Sequence, residues 1–411
     1  MSKFARSRVS LAASAVAALA LGLASAGAYA VDFDGYFRAG PGATSKNDAR
    51  ACYNLGISGG HYRLGNECDF YGEFGLAQTG TTADGVSWKA KVMFNQYNPG
   101  TDTGDSSSGF NQMYVEGKGF DIAPGTNFWA GKRFYGRKDV HIVDQFFTKL
   151  DGVGAGFDQT NLGFAKLGVS YFTTDGGNTG LSHSPGGRIN VDMTEIGLGD
   201  VGGQLRVLGT FTEGRFDGAT GAEGTSGFGL TVQHTIDIAS VGGGNTVWLQ
   251  YAQGSAGLDG NFGNLTAPSG TSAWRLVESF TWQAGPFGGQ AIALYGQQDA
   301  NPVSGAAGYD ELSIGGRGSF AITNHFKLVA EAGYMEKNPD GSAKQKLAKF
   351  TLAPTLSTGP GFWNRPELRL YVTTAKWNQP ANDANGIGGL TGLGNGKTKG
   401  TSWGAQAEVW F

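Results

Sequence analysis

Long apolar runs, cysteine and histidine are all scarce in this 411-residue chain, and each shortage excludes a class of protein. After residue 30, no segment offers the roughly eighteen consecutive apolar residues that a membrane-spanning helix requires, so we expect no such helix. The five histidines are scattered, and no Cys or His partners stand at zinc-ligand spacing. We therefore expect neither a metal site nor a cofactor.

The first thirty residues have the features of a secretory signal peptide. Lys3, Arg6 and Arg8 form a basic start, a short apolar stretch follows, and the segment ends in the small residues of "AYA". This order is typical of a cleaved export signal, whereas a transmembrane anchor would have a longer run with less Gly and Ser. We expect residues 1–30 to be removed. Residues 31–411 contain no linker or long repeat and should form one domain.

Basic residues are too few for a nucleic-acid-binding protein. Subtracting the three basic residues of the signal from the total leaves 28 lysines and arginines against 34 aspartates and glutamates, a net charge of −6. Because the neutralisation of phosphates needs a basic surface, we expect no nucleic-acid partner.

The two cysteines are Cys52 and Cys68. In an exported chain the oxidised state is favoured, so we expect a disulfide that closes a short loop. It would contribute about 3 kcal/mol on a loop-entropy estimate. A free or metal-binding pair is the weaker alternative, because no further Cys or His stands at zinc spacing.

Glycine, in contrast, is abundant, with 71 residues, and aromatic residues make up 12% of the chain. Glycine weakens helices and suits sheets, turns and close backbone approaches. No Gly-X-Y period is present, which excludes collagen. The composition therefore favours an all-β protein.

The chain ends in a segment, "TSWGAQAEVWF", in which every second residue is apolar. Side chains alternate between the two faces of a strand, so this pattern indicates a sheet with one wholly apolar face. A soluble sandwich could show the alternation in one strand, but here it recurs in "VDFDGYFRAG", "DFYGEFGLAQ", "VSWKAKVMF", "HFKLVAEAGYMEK" and "PELRLYVTT". It is poorer in "WRLVESFTW", where Glu278 falls on the apolar side.

Alternating segments, turn clusters between them and an export signal together predict an all-β fold, a transmembrane antiparallel β-barrel with a polar lumen. About 380 residues suffice for a wide barrel of 16 to 18 strands, which encloses an aqueous channel. The period directs several charged side chains inward, where we expect them to line water: Arg38, Glu73, Lys89, Lys91, Glu331 and Arg369.

The stretch "GRKDVHIVDQFF", residues 136–147, concentrates charge in a chain that is otherwise sparing with it. Three interpretations are open: a catalytic or metal site, a solvated loop, or a charged constriction inside a pore. Catalysis would need a nucleophile, a base and oxyanion donors within hydrogen-bond reach, and no Ser stands beside His141. The stretch alone does not decide between a loop and a constriction.

Several motifs resemble the maltoporins, the sugar-specific porins of the outer membrane of Gram-negative bacteria. They are "VDFDGYFRAG", "YRLGNEC", "YGEFGLAQ", "WAGKRFYGRKDVHIVD", "WNRPELRLYVTTAKW" and "WGAQAEVWF", spread from residue 31 to the last residue. The resemblance implies an 18-stranded barrel, a homotrimer in lipid, and a third extracellular loop folded into the channel. It implies passage of maltose and maltodextrins and no enzymatic activity. Residues 136–147 match the constriction loop.

The resemblance also implies two sets of sugar-binding residues. Flat aromatic rings hold the apolar faces of sugar rings, while ionic groups exchange hydrogen bonds with the hydroxyls. Binding must stay weak and distributed, or the sugar would not leave. The positions that match the aromatic slide are Tyr36, Tyr71, Trp363 and Trp410. Those that match the polar track are Arg38, Arg63, Glu73, Arg137, Asp139, His141 and Asp144.

Departures from the family pattern leave the exact sugar open. Gly244 stands where the family has Phe, and "NPGTDTGDSSSG" lacks the Trp that a neighbouring subunit would receive. Further differences from the maltose-specific members are at Asn111, Phe146, Thr148 and Lys149. Trp248 faces inward by period and is a candidate substitute for the missing Phe. A channel for another oligosaccharide, such as sucrose or a β-glucoside, is the alternative, followed by a non-selective porin and a barrel enzyme.

Overall fold

The fold is a closed antiparallel barrel, seen in a computed structural model that describes residues 31–45, 50–100, 106–174, 185–215, 223–392, 394 and 396–411. Residues 1–30, predicted to be a signal peptide, lie outside the described residues. The strands are β1 (Val31–Ala39), β2 (Gly42–Thr44), β3 (Phe70–Thr81), β4 (Ser87–Asn98), β5 (Ser107–Lys118), β6 (Asn127–Arg133), β7 (Lys138–Val140), β8 (Gln145–Thr148), β9 (Gly152–Asn161), β10 (Lys166–Thr174), β11 (Gly186–Gly197), β12 (Gln204–Gly214), β13 (Ser226–Ile238), β14 (Gly243–Gly254), β15 (Ser272–Ala284), β16 (Phe287–Gln298), β17 (Tyr309–Ala321), β18 (Phe326–Pro339), β19 (Gln345–Ser357), β20 (Glu367–Trp377) and β21 (Lys399–Trp410).

The barrel wall has 18 strands, as predicted. The main sheet has 19 strands, but β1 and β2 are consecutive parts of one barrel strand, because both pair with β21. β7 and β8 form a separate hairpin. The wall closes where β1 lies between β3 and β21, with Tyr36 opposite Glu73 on one side and Trp410 on the other.

The predicted period of two is confirmed by the alternation of exposed and buried side chains along β20. Leu368, Leu370 and Val372 are 58%, 63% and 54% exposed, whereas Glu367 and Arg369 between them are buried. The exposed face is therefore the outer face of the barrel. Glu278 does lie on this outward face, where the Asn245 amide donates a 3.0 Å hydrogen bond to its carboxylate.

Connections differ in length at the two ends of the barrel. The end with short turns, such as residues 285–286, also holds Val31 and Phe411. The long connections lie at the other end, and three of them fold inward: a first loop (residues 50–69), a constriction loop (residues 134–151) and a third segment (residues 255–271). Outer-membrane barrels place short turns at the periplasm and long loops outside the cell.

The core lies inside the barrel, between the inward loops and one side of the wall. Ile142, Val143 and Phe147 of the constriction loop are buried against Trp248 and Val277 of β14 and β15. This packing confirms that the constriction loop lies in the channel, since these wall residues point inward.

The first loop is fixed by covalent and steric means. Cys52 and Cys68 form the predicted disulfide, with their Cα atoms 5.9 Å apart. The ring of Tyr62 lies flat on the inner wall at Gly315 and Gly333, where any Cβ would collide with it. Part of the high glycine content therefore lets the loop approach the wall closely.

Two charges that were expected to line water are buried instead. Glu331 contacts Arg317 at 2.7 Å and Lys349 at 2.9 Å, and it accepts a hydrogen bond from the backbone N–H of Leu64 in the first loop. Arg369 is 3% exposed and pairs with Glu367. Both face inward, as predicted, but the first loop covers this side of the wall. The charges are therefore paired with oppositely charged side chains instead of being solvated by water.

Helices are few in the described part of the chain. A short α-helix, Gln379–Asp383, lies in the connection between β20 and β21. No helix among the described residues is long and apolar enough to cross a membrane.

Candidate functional site

The constriction loop presents its charged residues on a tight hairpin. A 3₁₀ turn, His141–Val143, joins β7 and β8, and Asp144 ends the turn in the left-handed conformation, with φ at 52°. Its backbone N–H donates to the carbonyl of His141 at 3.1 Å. Asp tolerates this conformation better than most residues, since its short side chain bonds locally. The turn places His141 and Asp144 side by side, against the wall formed by β1 and β21.

Two arginines hold the loop to the wall through shared carboxylates. Arg38 contacts Asp144 at 3.0 Å and Asp69 at 2.8 Å. Arg63 contacts Asp144 at 3.5 Å, and its Nε donates to Glu67 at 2.6 Å. Asp144 is partly exposed to the lumen, whereas Arg63 is buried. The five residues of these pairs come from the wall, the first loop and the constriction loop, so the network joins all three.

Glu408 of the closing strand is the buried centre of the network. Its carboxylate lies 3.4 Å from Arg63 and 3.5 Å from His141, and the Tyr36 hydroxyl donates to it at 3.1 Å. Arg365 contacts the other carboxylate oxygen at 3.0 Å, and Arg369 is paired with that same oxygen. An unpaired carboxylate would be unstable here, so the surrounding arginines keep Glu408 charged.

The protonation states of the loop follow from burial and from these arginines. Burial lowers the pKa of His141 to about 4, so its ring is neutral at pH 7 and its contact with Glu408 is not an ion pair. Burial alone would raise the pKa of Asp144, but Arg63 and Arg38 lower it to about 2. Asp144 therefore carries a negative charge into the lumen at all ordinary pH values.

Aromatic rings surround the same point of the loop. The ring of His141 lies edge-on to Trp363 and Trp410, with centroids 5.6 Å and 5.4 Å away, and the two indoles are 6.3 Å apart. Arg365 lies over Trp410 at 4.3 Å. Tyr36 and Tyr71 form a second pair, with centroids 6.3 Å apart. The four candidate slide residues thus form two adjacent pairs.

A cavity of ≈ 690 Å³ opens beside the indole pair on the short-turn side of the loop. Asp139, His141, Trp363 and Trp410 line one side of it, and residues 242–244 and neighbouring Thr, Ser and Gln side chains line the other. Rings with polar groups opposite them can hold an apolar face and several hydroxyls at once.

Two candidate track residues lie apart from the Asp144 network. The Nε of Arg137 donates to Asp151 at 2.9 Å, and its guanidinium lies 3.2 Å from the ring centroid of Phe134 and 4.6 Å from that of Phe146. It borders a second cavity, of ≈ 210 Å³. Glu73 instead belongs to the tyrosine end: the Tyr71 hydroxyl donates to it at 2.8 Å, and the Asn111 amide does so at 3.1 Å.

Trp248, the candidate substitute for the aromatic ring missing at Gly244, borders the same cavity as residues 242–244. Its side chain faces inward, as predicted, but it is only 1% exposed. Its indole N–H donates to Gln233 at 3.0 Å, and its ring packs on Phe147 at 5.4 Å. The constriction loop therefore covers the ring, and the wall at residues 242–244 is left without an aromatic side chain.

The chain can now be compared with known proteins. The family model described as LamB porin matches residues 31–411. The chain belongs to the LamB porin family. As a LamB porin it is an outer-membrane channel, and the constriction described above lies in its pore.

Solved porin structures resemble it at low identity. OccAB1 of Acinetobacter baumannii has a TM-score of 0.52 and 9% identity, covering 94% of this chain and 98% of that one. A loop L8 deletion mutant of OmpT, an outer membrane protein of Vibrio cholerae, has a TM-score of 0.45 and 12% identity, covering 93% and 99%. A mutant of the Rh. blastica porin has a TM-score of 0.44 and 10% identity, covering 92% and 100%. The first of these supports the barrel fold.

Several residues of this porin's constriction were not predicted. Glu408 could have been found, because the period places it on the inward face beside Trp410. Arg365 lies in a motif that carried the resemblance. Asp69 begins the alternating segment "DFYGEFGLAQ" and Glu67 lies in the motif "YRLGNEC", but only the fold brings them to Arg38 and Arg63. Among the described residues, no group of three His, Cys, Asp or Glu side chains could hold a metal ion.

Proposed function

We propose that this LamB porin conducts linear oligosaccharides of the maltodextrin class, and that Tyr36, Tyr71, Trp363 and Trp410 bind the sugar faces in passing. The observation that carries the proposal is the pair of indoles at the constriction, beside a cavity of ≈ 690 Å³ whose other walls are polar. The resemblance of the motifs to maltoporins supports the same substrate class.

The ionic residues supply the second half of the mechanism. A sugar hydroxyl that reaches Asp144 or Arg38 can exchange a charge-assisted hydrogen bond with a group that is already partnered, so little is lost when the sugar moves on. Such exchange keeps each binding step weak, which a conducting channel requires. In this scheme Asp139 and His141 hold hydroxyls beside the indoles, Arg63 orients Asp144, and Glu73 and Arg137 act nearer to Tyr71.

A second candidate is another oligosaccharide, such as sucrose or a β-glucoside. The observation that favours it is the bare wall at residues 242–244, because Trp248, which also borders the cavity, is only 1% exposed. Chain-specific changes nearby include Phe146, Asn111 and Lys149. The protein acts in either case as a passive channel and not as an enzyme. We further propose that it assembles as a homotrimer and that residues 1–30 are its export signal; native mass spectrometry of the extracted protein tests both.

The decisive experiment removes one indole from the lumen. Trp410→Ala should weaken oligosaccharide binding by about 0.5–1.5 kcal/mol, or about 2- to 13-fold, as for other aromatic contacts. Sugar-induced current noise in planar bilayers measures this affinity. Ion conductance should be retained or slightly raised. Trp403→Ala is the matched control, since Trp403 stands on the same strand but is 53% exposed on the outward face.

A panel of maltodextrins, sucrose and β-glucosides in the same bilayers separates the two candidate substrates. Equal sugar affinity in wild type and Trp410→Ala would refute the slide. Failure of every sugar to modulate the current would instead indicate a non-selective porin.

A further inference from the structure

A third cavity, of ≈ 430 Å³, lies in the lumen at the short-turn end of the barrel. Its walls include the inner faces of β3, β4 and β5, together with Asn127 of β6 and Gln159 of β9. It shares no lining residue with the cavity beside the indole pair. We call it the exit cavity, because outer-membrane barrels place their short turns at the periplasm.

Two lysines of the exit cavity, Lys89 and Lys118, are not paired within the protein. Lys89 stands directly opposite Glu116 in the pairing of β4 with β5. The Glu116 carboxylate is held elsewhere, because Arg133 contacts it at 3.2 Å and the Asn127 amide donates to it at 3.2 Å. In the part of the chain that the structure describes, no carboxylate lies within ion-pair distance of either lysine. Since Arg133 neutralises Glu116, the two lysines give the cavity an excess of positive charge.

Other cations on the inner wall do have partners. Lys91, two residues farther along the same face of β4, contacts Asp34 at 2.5 Å. Arg206 of β12 contacts Asp192 at 2.7 Å. An unpaired ammonium group in a lumen with low-dielectric walls attracts anions from the solution. Lys89 and Lys118 therefore favour a solute that brings a negative charge into the exit cavity.

The neutral side chains of the exit cavity suit a solute with many hydroxyl groups. Thr79, Thr81 and Ser87 contribute hydroxyls, and Asn127 and Gln159 contribute amides. Gln159 has a left-handed backbone, with φ at 63°, where the pairing of β9 with β10 shifts its register. Such bulges redirect a side chain, and a strained backbone of this kind is concentrated at binding sites. Here the strained residue is one that borders the cavity.

We infer that the exit cavity binds acidic saccharides, in which a carboxylate accompanies the hydroxyl groups, and that the pore conducts them. The carboxylate contacts the ammonium groups of Lys89 and Lys118, while the hydroxyls exchange hydrogen bonds with the neutral side chains. Both lysines are at least partly exposed, so each ion pair is weak and the solute can leave. The inference rests on the proposed function only in that the solute is a saccharide which enters through the same pore.

The test compares a neutral oligosaccharide, maltotriose, with maltotrionate, the same molecule oxidised to a carboxylate at its reducing end. Isothermal titration calorimetry measures the binding of each sugar to the intact porin in detergent at low salt. Wild type should bind maltotrionate about 3- to 25-fold more tightly than maltotriose, as expected for two partly exposed ion pairs. At about 1 M salt, where charges are screened beyond about 3 Å, the preference should vanish.

Variants assign this preference to the exit cavity. Lys89→Gln/Lys118→Gln should bind the two sugars with affinities within about twofold of each other, whereas Lys89→Arg/Lys118→Arg should keep the preference. Lys89→Gln and Lys91→Gln form a matched pair, since each removes one charge from the same face of β4. Lys91 is already paired with Asp34, so only Lys89→Gln should weaken the preference.

Absence of maltotrionate binding, equal affinity for the two sugars in wild type, or a preference that survives in the double glutamine variant would overturn the inference. An equal loss in Lys89→Gln and Lys91→Gln would also overturn it, because the preference would then come from the overall charge of the lumen. Failure of maltotriose alone to bind would instead count against the maltodextrin proposal, and the response of maltotrionate binding to Lys89→Gln/Lys118→Gln would still decide on the exit cavity. Heat-modified mobility on gels shows that each variant is a folded barrel.

Discussion

Phe147→Ala should release the constriction loop from the wall without harming the barrel. Phe147 is fully buried, its ring lies 5.4 Å from that of Trp248 and 4.9 Å from the Arg275 guanidinium, and its carbonyl accepts a hydrogen bond from Gln250. Truncation of a buried Phe to Ala costs about 3–5 kcal/mol. The loop contributes no strand to the wall, so this loss should fall on loop docking.

The size of the expected loss in loop-docking free energy determines which measurements can detect it. A docking penalty of about 3–5 kcal/mol raises the open population of the loop by roughly 150- to 5000-fold. Amide exchange over residues 138–148 should accelerate by about that factor, while exchange in the wall strands is unchanged. Single-channel recordings should show added current fluctuation, and sugar affinity should fall because His141 and Asp144 are no longer held.

Phe146→Ala is the matched control, since this neighbouring ring is only half-buried and contacts Arg137 at 4.6 Å. It should leave loop exchange within about threefold of wild type. The reasoning is wrong if Phe147→Ala accelerates exchange by less than tenfold, because the ionic contacts of Asp144 alone would then hold the loop.

Three further predictions concern the loops. Reduction of Cys52–Cys68 should loosen the first loop, with a loss of about 3 kcal/mol, yet leave the barrel folded; proteolysis of both loop and barrel checks this. Asp139→Asn/Asp144→Asn should shift ion selectivity toward anions, since two charges in a narrow lumen dominate its potential; unchanged reversal potentials at low salt would place the loop outside the pore. Because the pKa of buried His141 is lowered to about 4, the undocked loop binds a proton between pH 6.5 and pH 4 and the docked loop does not. Docking should therefore weaken as pH falls through this window, and His141→Gln should remove that dependence of current noise on pH.

The strands of the wall could be predicted because the alternation of side chains depends only on residues that are neighbours in sequence. Alternation along each strand is imposed by the pleat, so Leu368, Leu370 and Arg369 could be assigned to opposite faces from the sequence alone. The disulfide followed from export and from a count of two cysteines. The same rule even placed Glu278 on the apolar, outward face, against the chemistry of its side chain, and the structure agrees.

The interior was harder to predict, because loops have no period. Nothing in the sequence shows that Tyr62 lies against Gly315 and Gly333, or that the first loop covers Glu331. The inward direction of Trp248 was right, but its exposure depended on where Phe147 docks. The sequence therefore predicted whether a wall side chain points inward or outward. It did not predict whether an inward side chain is covered by a loop, because that depends on the fold.

This difference separates two kinds of charge along the channel. Glu331 and Arg369 are buried and paired, Glu331 with Lys349 and with the Leu64 N–H of the first loop and Arg369 with Glu367 of the wall, so they offer little to a solute in the pore. Asp144 is partly exposed and is paired with Arg38 of the wall and Arg63 of the first loop, so it can exchange hydrogen bonds with a solute in the pore while the loop stays docked. A charge can contact a solute in the pore only where the loops leave that charge uncovered. The position of the first and constriction loops, more than the number of inward charges, therefore determines how many polar groups the pore exposes to a passing solute.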